Sequence, residues 1–194
     1  WDRGLGLSPA GAWDNANVDT AVFAGSAAAV DVAEPITVNE IQFDSSGDYT
    51  LSGSALAVSG RIGHFTYSGT HTITCPISGS PAVTFIGANA GNILNFAPTG
   101  TVVQTLGVVT NPYYAPYIVV GDKGMLHLNG SSDGNTVEGI TYEDFDPVTG
   151  TSRTCWYGYM EKRGPGSWTI NGDVKQGRLT VLEGTLIING SYIS

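Results

Sequence analysis

Residues 30–58, VDVAEPITVNEIQFDSSGDYTLSGSALAV, decide the fold. Short alternating runs follow one another: Val30-Asp31-Val32, Ile36-Thr37-Val38, Ile41-Gln42-Phe43, Tyr49-Thr50-Leu51 and Ala55-Leu56-Ala57-Val58. Turn-forming residues separate them. Apolar side chains two positions apart share one side of a strand. A strand this short cannot bury a face alone or make a stable hairpin. It is stable when each strand stacks on its equivalent one coil later, which is the logic of a solenoid. The pattern therefore predicts an all-β parallel β-helix. Val30, Val32, Ile36, Val38, Ile41, Phe43, Leu51, Trp168, Ile170, Leu179, Val181, Leu186 and Ile188 are expected to point mostly inward.

The rhythm weakens on either side. Residues 1–25 are turn-rich, with Trp1 and Trp13, and read as an irregular cap or adaptor. Helical periodicity is absent over any useful length. Residues 26–194 read as the β-helix domain, with excursions near 108–117 and 139–166. The second excursion carries turn signals at Pro147–Gly150 that suit a hairpin. His127 lies between Leu126 and Leu128, so alternation turns it outward; His64 and His71 are read the same way.

Composition agrees with a turn-rich β protein. Charged residues are 13% and hydrophobic residues 41%, with 27 glycines, so sparse charge does not mean disorder. The net charge is −9 with only eight Lys plus Arg, which argues against nucleic acid and anionic membranes as partners. No apolar run reaches the ~18 residues that a membrane-spanning helix needs, so membrane insertion is not expected. The first residue is Trp1, not Met; removal of a signal peptide is the preferred explanation, trimming of a longer precursor the alternative. Cys75 and Cys155 are expected to form an intrachain disulfide, the alternative being two separate buried thiols. Scattered histidines and the absence of a CxxC pair give no metal site, and no cofactor is expected.

Residues 162–191, KRGPGSWTINGDVKQGRLTVLEGTLIINGS, resemble the autotransporter-associated β-strand repeat. Lys162, Gly164, Gly166, Trp168, Ile170 and Gly172 match its first half; Gly184, Thr185, Leu186, Ile188, Asn189 and Gly190 match its second. Residues 13–53 are similar to the lead-in found in such proteins. The resemblance implies a right-handed parallel β-helix exported to the bacterial surface. Only one full repeat is clear and no membrane barrel follows, so ordinary secretion of a short, free-standing chain is expected.

Glu138, Glu143, Asp144 and Asp146 lack the spacing of a calcium loop and read as a solvated loop. No carboxylates pair as an acid and base, so a polysaccharide-degrading enzyme is the least favoured reading. Asn129-Gly130-Ser131 and Asn189-Gly190-Ser191 fit a glycosylation sequon but read as Asn-Gly turns. Tyr113, Tyr114 and Tyr117 sit in a proline-containing loop. Two readings stand: a contact patch for a neighbouring subunit or a surface glycan, or rings folded back over the solenoid flank.

A solenoid has two ends, each exposing unpaired backbone and an apolar cross-section unless capped. After Ile188 only NGSYIS remains, and it is itself strand-like. The expectation is head-to-tail assembly into a filament, with Leu186, Ile188 and Ile193 meeting Trp1, Trp13 and Phe23 of the next copy. The function expected is thus a non-catalytic extracellular structural protein, with a monomeric adhesin or glycan-binding passenger fragment as the alternative.

Overall fold

The computed structural model describes residues 13, 15–64, 68–79, 83–86, 92–106, 117–120, 124–138, 140–141, 143–146, 151–154, 159–175 and 178–193. In chain order the strands are β1 (Thr20–Ala24), β2 (Ala28–Val32), β3 (Ile36–Asp44), β4 (Tyr49–Gly53), β5 (Leu56–His64), β6 (Gly69–Ile73), β7 (Ile77–Gly79) and β8 (Val83–Ile86). They continue as β9 (Asn92–Phe96), β10 (Thr105–Leu106), β11 (Tyr117–Val120), β12 (Met125–Leu128), β13 (Asn135–Val137), β14 (Ile140–Thr141), β15 (Glu143–Asp146) and β16 (Thr151–Thr154). The last are β17 (Tyr159–Lys162), β18 (Ser167–Ile170), β19 (Val174–Lys175), β20 (Arg178–Val181), β21 (Thr185–Ile188) and β22 (Tyr192–Ile193). There is no helix among the described residues, and none long and apolar enough to cross a membrane.

The strands wind around three faces. On the first, the order is β1-β3-β5-β8-β11-β14-β19-β22, and on the second β2-β4-β6-β9-β12-β17-β20. The third face starts with Ile36–Val38 beside Leu56–Val58 beside β7, and resumes as β10-β13-β18-β21. Every pairing within these faces is parallel, each strand lying on its equivalent from the previous circuit. Thr20 lies beside Glu40 and Glu40 beside Arg61, so an early circuit takes about twenty residues. Within β3 the chain turns a corner, marked by a register irregularity between Val38 and Glu40. This is the parallel β-helix that the alternating runs predict.

Period-2 alternation places the core as expected. Val32, Ile36, Val38, Ile41, Phe43, Leu51, Trp168 and Ile170 are buried, and Val30, Leu179, Leu186 and Ile188 are partly buried against them. Inward side chains stack coil on coil: Phe23 on Phe43 with ring centroids 5.3 Å apart, and Phe43 on His71 at 4.3 Å and 8°. The outward placement of His71 is thus corrected. It shares inward parity with Ile73 in β6, is fully buried, and its Nδ1 accepts from the Tyr49 amide at 3.3 Å.

Tight corners explain two glycines of the repeat. Gly164 has φ +71°, and a Cβ there would meet the Gly130 carbonyl oxygen at 2.5 Å. Gly184 has φ +75°, and a Cβ would approach the Lys162 Nζ to 2.7 Å. Only glycine takes this backbone at little cost and lets successive corners nest. The antiparallel pair departs from the winding: β15 and β16 form a hairpin, Glu143 opposite Thr154 and Asp146 opposite Thr151.

Candidate functional site

At the N-terminal edge of the third face, side chains bond to the first strand, whereas β1 and β2 on the other two faces each pair on one side only among the described residues. Thr37 lies in the first strand of the third face, and no earlier strand among the described residues pairs with it. Its amide donates to Asn15 Oδ1 at 2.8 Å, and its carbonyl accepts from the Trp13 indole at 3.1 Å. Asn15 Nδ2 donates to the Pro35 carbonyl at 3.2 Å, and the Asn39 amide to the Asp19 carbonyl at 3.0 Å. Trp13, Asn15 and Asp19 therefore bond to the edge as a neighbouring strand would. Among the candidates for self-assembly, Trp13 packs on its own core and Phe23 is a core residue, 6% exposed. Trp1 lies outside the described residues.

The C-terminal circuit forms the other edge. β20, β21 and β22 each pair on one side only among the described residues. Val181, Leu182, Ile187 and Tyr192 are 52%, 59%, 46% and 44% exposed. Val181 was expected inward and is exposed. Its parity is that of Lys162 and Leu128, but no described coil lies over it to bury it. Leu186 and Ile188 are half-buried, held from one side by Trp168 and Ile170. Ile193 lies in β22 beside Lys175; its side chain is outside the described residues.

Beneath this circuit sits Lys162, fully buried in an inward position. Its ammonium donates to the carbonyls of Arg163 at 2.7 Å, Gly164 at 2.7 Å and Glu183 at 3.1 Å. Burial lowers its pKa, and the nearby Glu183 opposes that shift. Three carbonyls satisfy the three protons of one ammonium. Two other buried polar groups join coils in a similar way. Gln104 Nε2 donates to the Ile73 and Cys75 carbonyls at 3.1 and 3.0 Å. Asn135 accepts from the Gln104 amide at 2.9 Å and donates to the Ser132 carbonyl at 2.7 Å and the Ser167 carbonyl at 3.0 Å. Sequence reasoning missed all three as internal groups. For Lys162 the signal was present: in Tyr159-Met160-Glu161-Lys162, alternation puts it on the side of Met160.

Other expectations meet the structure as follows. Cys75 is a free, buried thiol whose pKa burial pushes up to about 12. The expected Cys75–Cys155 bridge is therefore absent here; Cys155 lies outside the described residues. Of the tyrosines, Tyr113 and Tyr114 also lie outside them, whereas Tyr117 opens β11, its backbone beside Val83. His127 occupies an outward position yet is only 7% exposed, so it is not solvent-facing. Its Nε2 lies 2.8 Å from Met125 Sδ and 3.6 Å from Glu161 Oε2. No three His, Cys, Asp or Glu residues are grouped to hold a metal among the described residues. Asn129 and Asn189 lie at corners: Asn129 Oδ1 accepts from the Gly130 amide at 2.8 Å, and Asn189 Nδ2 donates to Asn171 Oδ1 at 3.2 Å.

The three-faced winding of stacked parallel strands defines a parallel β-helix. The adhesin BmaC autotransporter of Brucella suis biovar 1 (strain 1330) is 34% identical over 148 residues, 69% of this chain and 4% of its own length. The chain thus spans a small fraction of that relative. Solenoid and likeness together fit an autotransporter-associated β-helix repeat, in agreement with residues 162–190. No protein-family model matches the chain, and no solved structure matches it.

Proposed function

We propose that this chain is a non-catalytic scaffold of a bacterial surface adhesin, displayed outside the cell as part of a passenger-type β-helix. The observation that carries this is the 34% identity to an autotransporter adhesin, extending over 69% of the chain. The architecture suits the role. A solenoid is built by adding circuits, so it holds outward side chains far from an anchor at fixed spacing. Antibodies raised against the folded chain test this: they should label intact cells of the source bacterium, and beads coated with the chain should attach to host cells more than beads coated with the unfolded chain. Labelling only after permeabilisation would refute surface display, and equal attachment of both bead types would refute adhesion.

A second reading rests on the exposed apolar side chains of β20, β21 and β22 and the residue between β20 and β21. There, copies associate head to tail into a filament, Leu186–Ser194 of one chain stacking on the N-terminal segment of the next. Exposed Val181, Leu182, Ile187 and Tyr192 favour it. Trp13 and Asn15 work against it, because they already bond to their own first coil. Sedimentation velocity decides between the two. Filaments should grow with concentration, resist high salt because few charges meet there, and vanish in Ile188→Lys and Ile193→Lys or on deletion of 189–194. A monomer at all concentrations leaves the adhesin scaffold as the sole reading.

A further inference from the structure

The second face carries a cleft that the scaffold role does not use. Alternation on β12, β17 and β20 builds two outward ladders. One runs Ile93, Met125, Tyr159, Arg178; the other runs Asn95, His127, Glu161, Thr180. Stacked strands lie about 4.8 Å apart, so neighbouring side chains in a ladder touch or leave a slot. Between the last circuits they leave a slot of about 170 Å³, lined by Met125, Tyr159, Met160, Glu161, Arg178 and Thr180. It is a shallow slot open to solvent, on the scale of a single sugar ring.

The charges of the slot are unequal in their commitments. The Glu161 carboxylate is held by Arg163, whose Nε donates to Oε2 at 2.7 Å and whose Nη2 also lies against that oxygen. The pair is neutral as a whole. Arg178 is exposed, and its Nε donates to Thr180 Oγ1 at 3.3 Å. None of the ion pairs among the described residues includes Arg178. Its planar fork suits two parallel hydrogen bonds to a carboxylate. Beside it in register, Tyr159 is half-buried and Met125 lies beyond, an apolar floor for a flat ring.

We propose that this slot binds one carboxylate-bearing pyranose of a surface glycan, of the uronate or sialate kind. The carboxylate lies on the Arg178 fork, the C–H side of the ring on Tyr159, and ring hydroxyls reach Thr180 and the free lone pairs of Glu161. A bare phosphate would use Arg178 and leave the apolar floor idle. A polyanion such as nucleic acid would meet the repulsion of the whole acidic surface. The assignment deepens the adhesive reading by naming a ligand class, and rests on that reading only for where the glycan is met.

Saturation-transfer NMR on the purified chain tests it, independently of cells. Glucuronic acid and N-acetylneuraminic acid should bind, with saturation strongest on ring protons, and high salt should weaken them. Glucose should bind at least tenfold more weakly. Arg178→Gln should reduce affinity for the acidic sugars about tenfold, with Arg178→Lys in between because it keeps charge and loses the fork. Tyr159→Ala should remove ring-proton saturation. Arg178 is exposed, so its variants fold, and unchanged thermal melting checks this. Equal binding of glucose, unchanged affinity in Arg178→Gln, displacement by millimolar phosphate without ring contacts, or no binding at millimolar sugar would each overturn the assignment. Failure here leaves surface labelling and bead attachment as they were.

Discussion

The ammonium of Lys162 donates to the backbone carbonyl of Glu183 at 3.1 Å, tying two successive circuits at one corner. The same ammonium holds Arg163 and Gly164 of its own circuit. A lysine at an inward position is costly unless its charge is fully bonded. Here each proton has an acceptor, so the charge acts as a staple. The corner explains why Lys162, Gly164 and Gly184 go together in the repeat: the carbonyls converge on Nζ only where glycine lets the backbone close in.

Replacing Lys162 by methionine keeps an unbranched, flexible side chain one atom shorter and removes all three donors. Three carbonyls lose charge-assisted bonds, and stability should fall by roughly 3 kcal/mol. Urea denaturation followed by circular dichroism reads this as a lower midpoint. An unchanged midpoint would show that the staple contributes nothing net.

Asn15→Ala removes both partners that Asn15 offers to the first strand of the third face, Thr37 N–H and Pro35 C=O. These groups are solvent-accessible, so the loss should be about 1 kcal/mol. The sharper readout is local. Amide exchange at Thr37 should quicken markedly while exchange at Val58, deeper in the stack, stays slow. Equal acceleration at both sites would mean that these bonds act globally instead.

His127 makes stability depend on pH. Burial first, then Arg163, lower its pKa from 6.5 to about 4, with Glu161 opposing. The native state therefore keeps the ring neutral at a pH where the unfolded chain binds a proton. Stability contributed by the neutral ring is complete above about pH 6.5 and declines as pH falls towards 4, by up to about 1.4 kcal/mol per pH unit. His127→Gln should flatten that part of the profile. If wild type and variant lose stability in parallel between pH 6.5 and 4, the histidine is not the cause.

Cys75 should resist alkylation. A buried thiol with its pKa near 12 carries almost no thiolate at pH 8, and thiolate is the reactive form. Iodoacetamide followed by peptide mapping should leave Cys75 unmodified in native protein and modify it fully in urea. Rapid native labelling, or a disulfide-linked Cys75 peptide, would contradict the structure.

The sequence by itself determined the local rules. Alternation in runs such as Ile36-Thr37-Val38 states which side chains go inward, and eight of the thirteen residues read so are buried, four more partly. The spacing of Lys162, Gly164, Gly166 and Gly184 carried the resemblance to surface solenoids, because corner geometry restricts residue choice at each of those positions. What tertiary structure alone decided is which neighbour each rule meets one circuit away. Parity could place Lys162 and His71 on the inner side, but only stacked coils supply the carbonyl of Glu183 for one and the ring of Phe43 for the other. Val181 shows the converse: correct in parity, it stays exposed because burial needs a coil above as well as one below. The pairing of Tyr159 with Arg178, nineteen positions apart, likewise appears only once the register between circuits is set. Local periodicity is a property of the chain, whereas contact between circuits depends on the number of residues each one consumes, which loops and excursions alter without changing the periodicity at all.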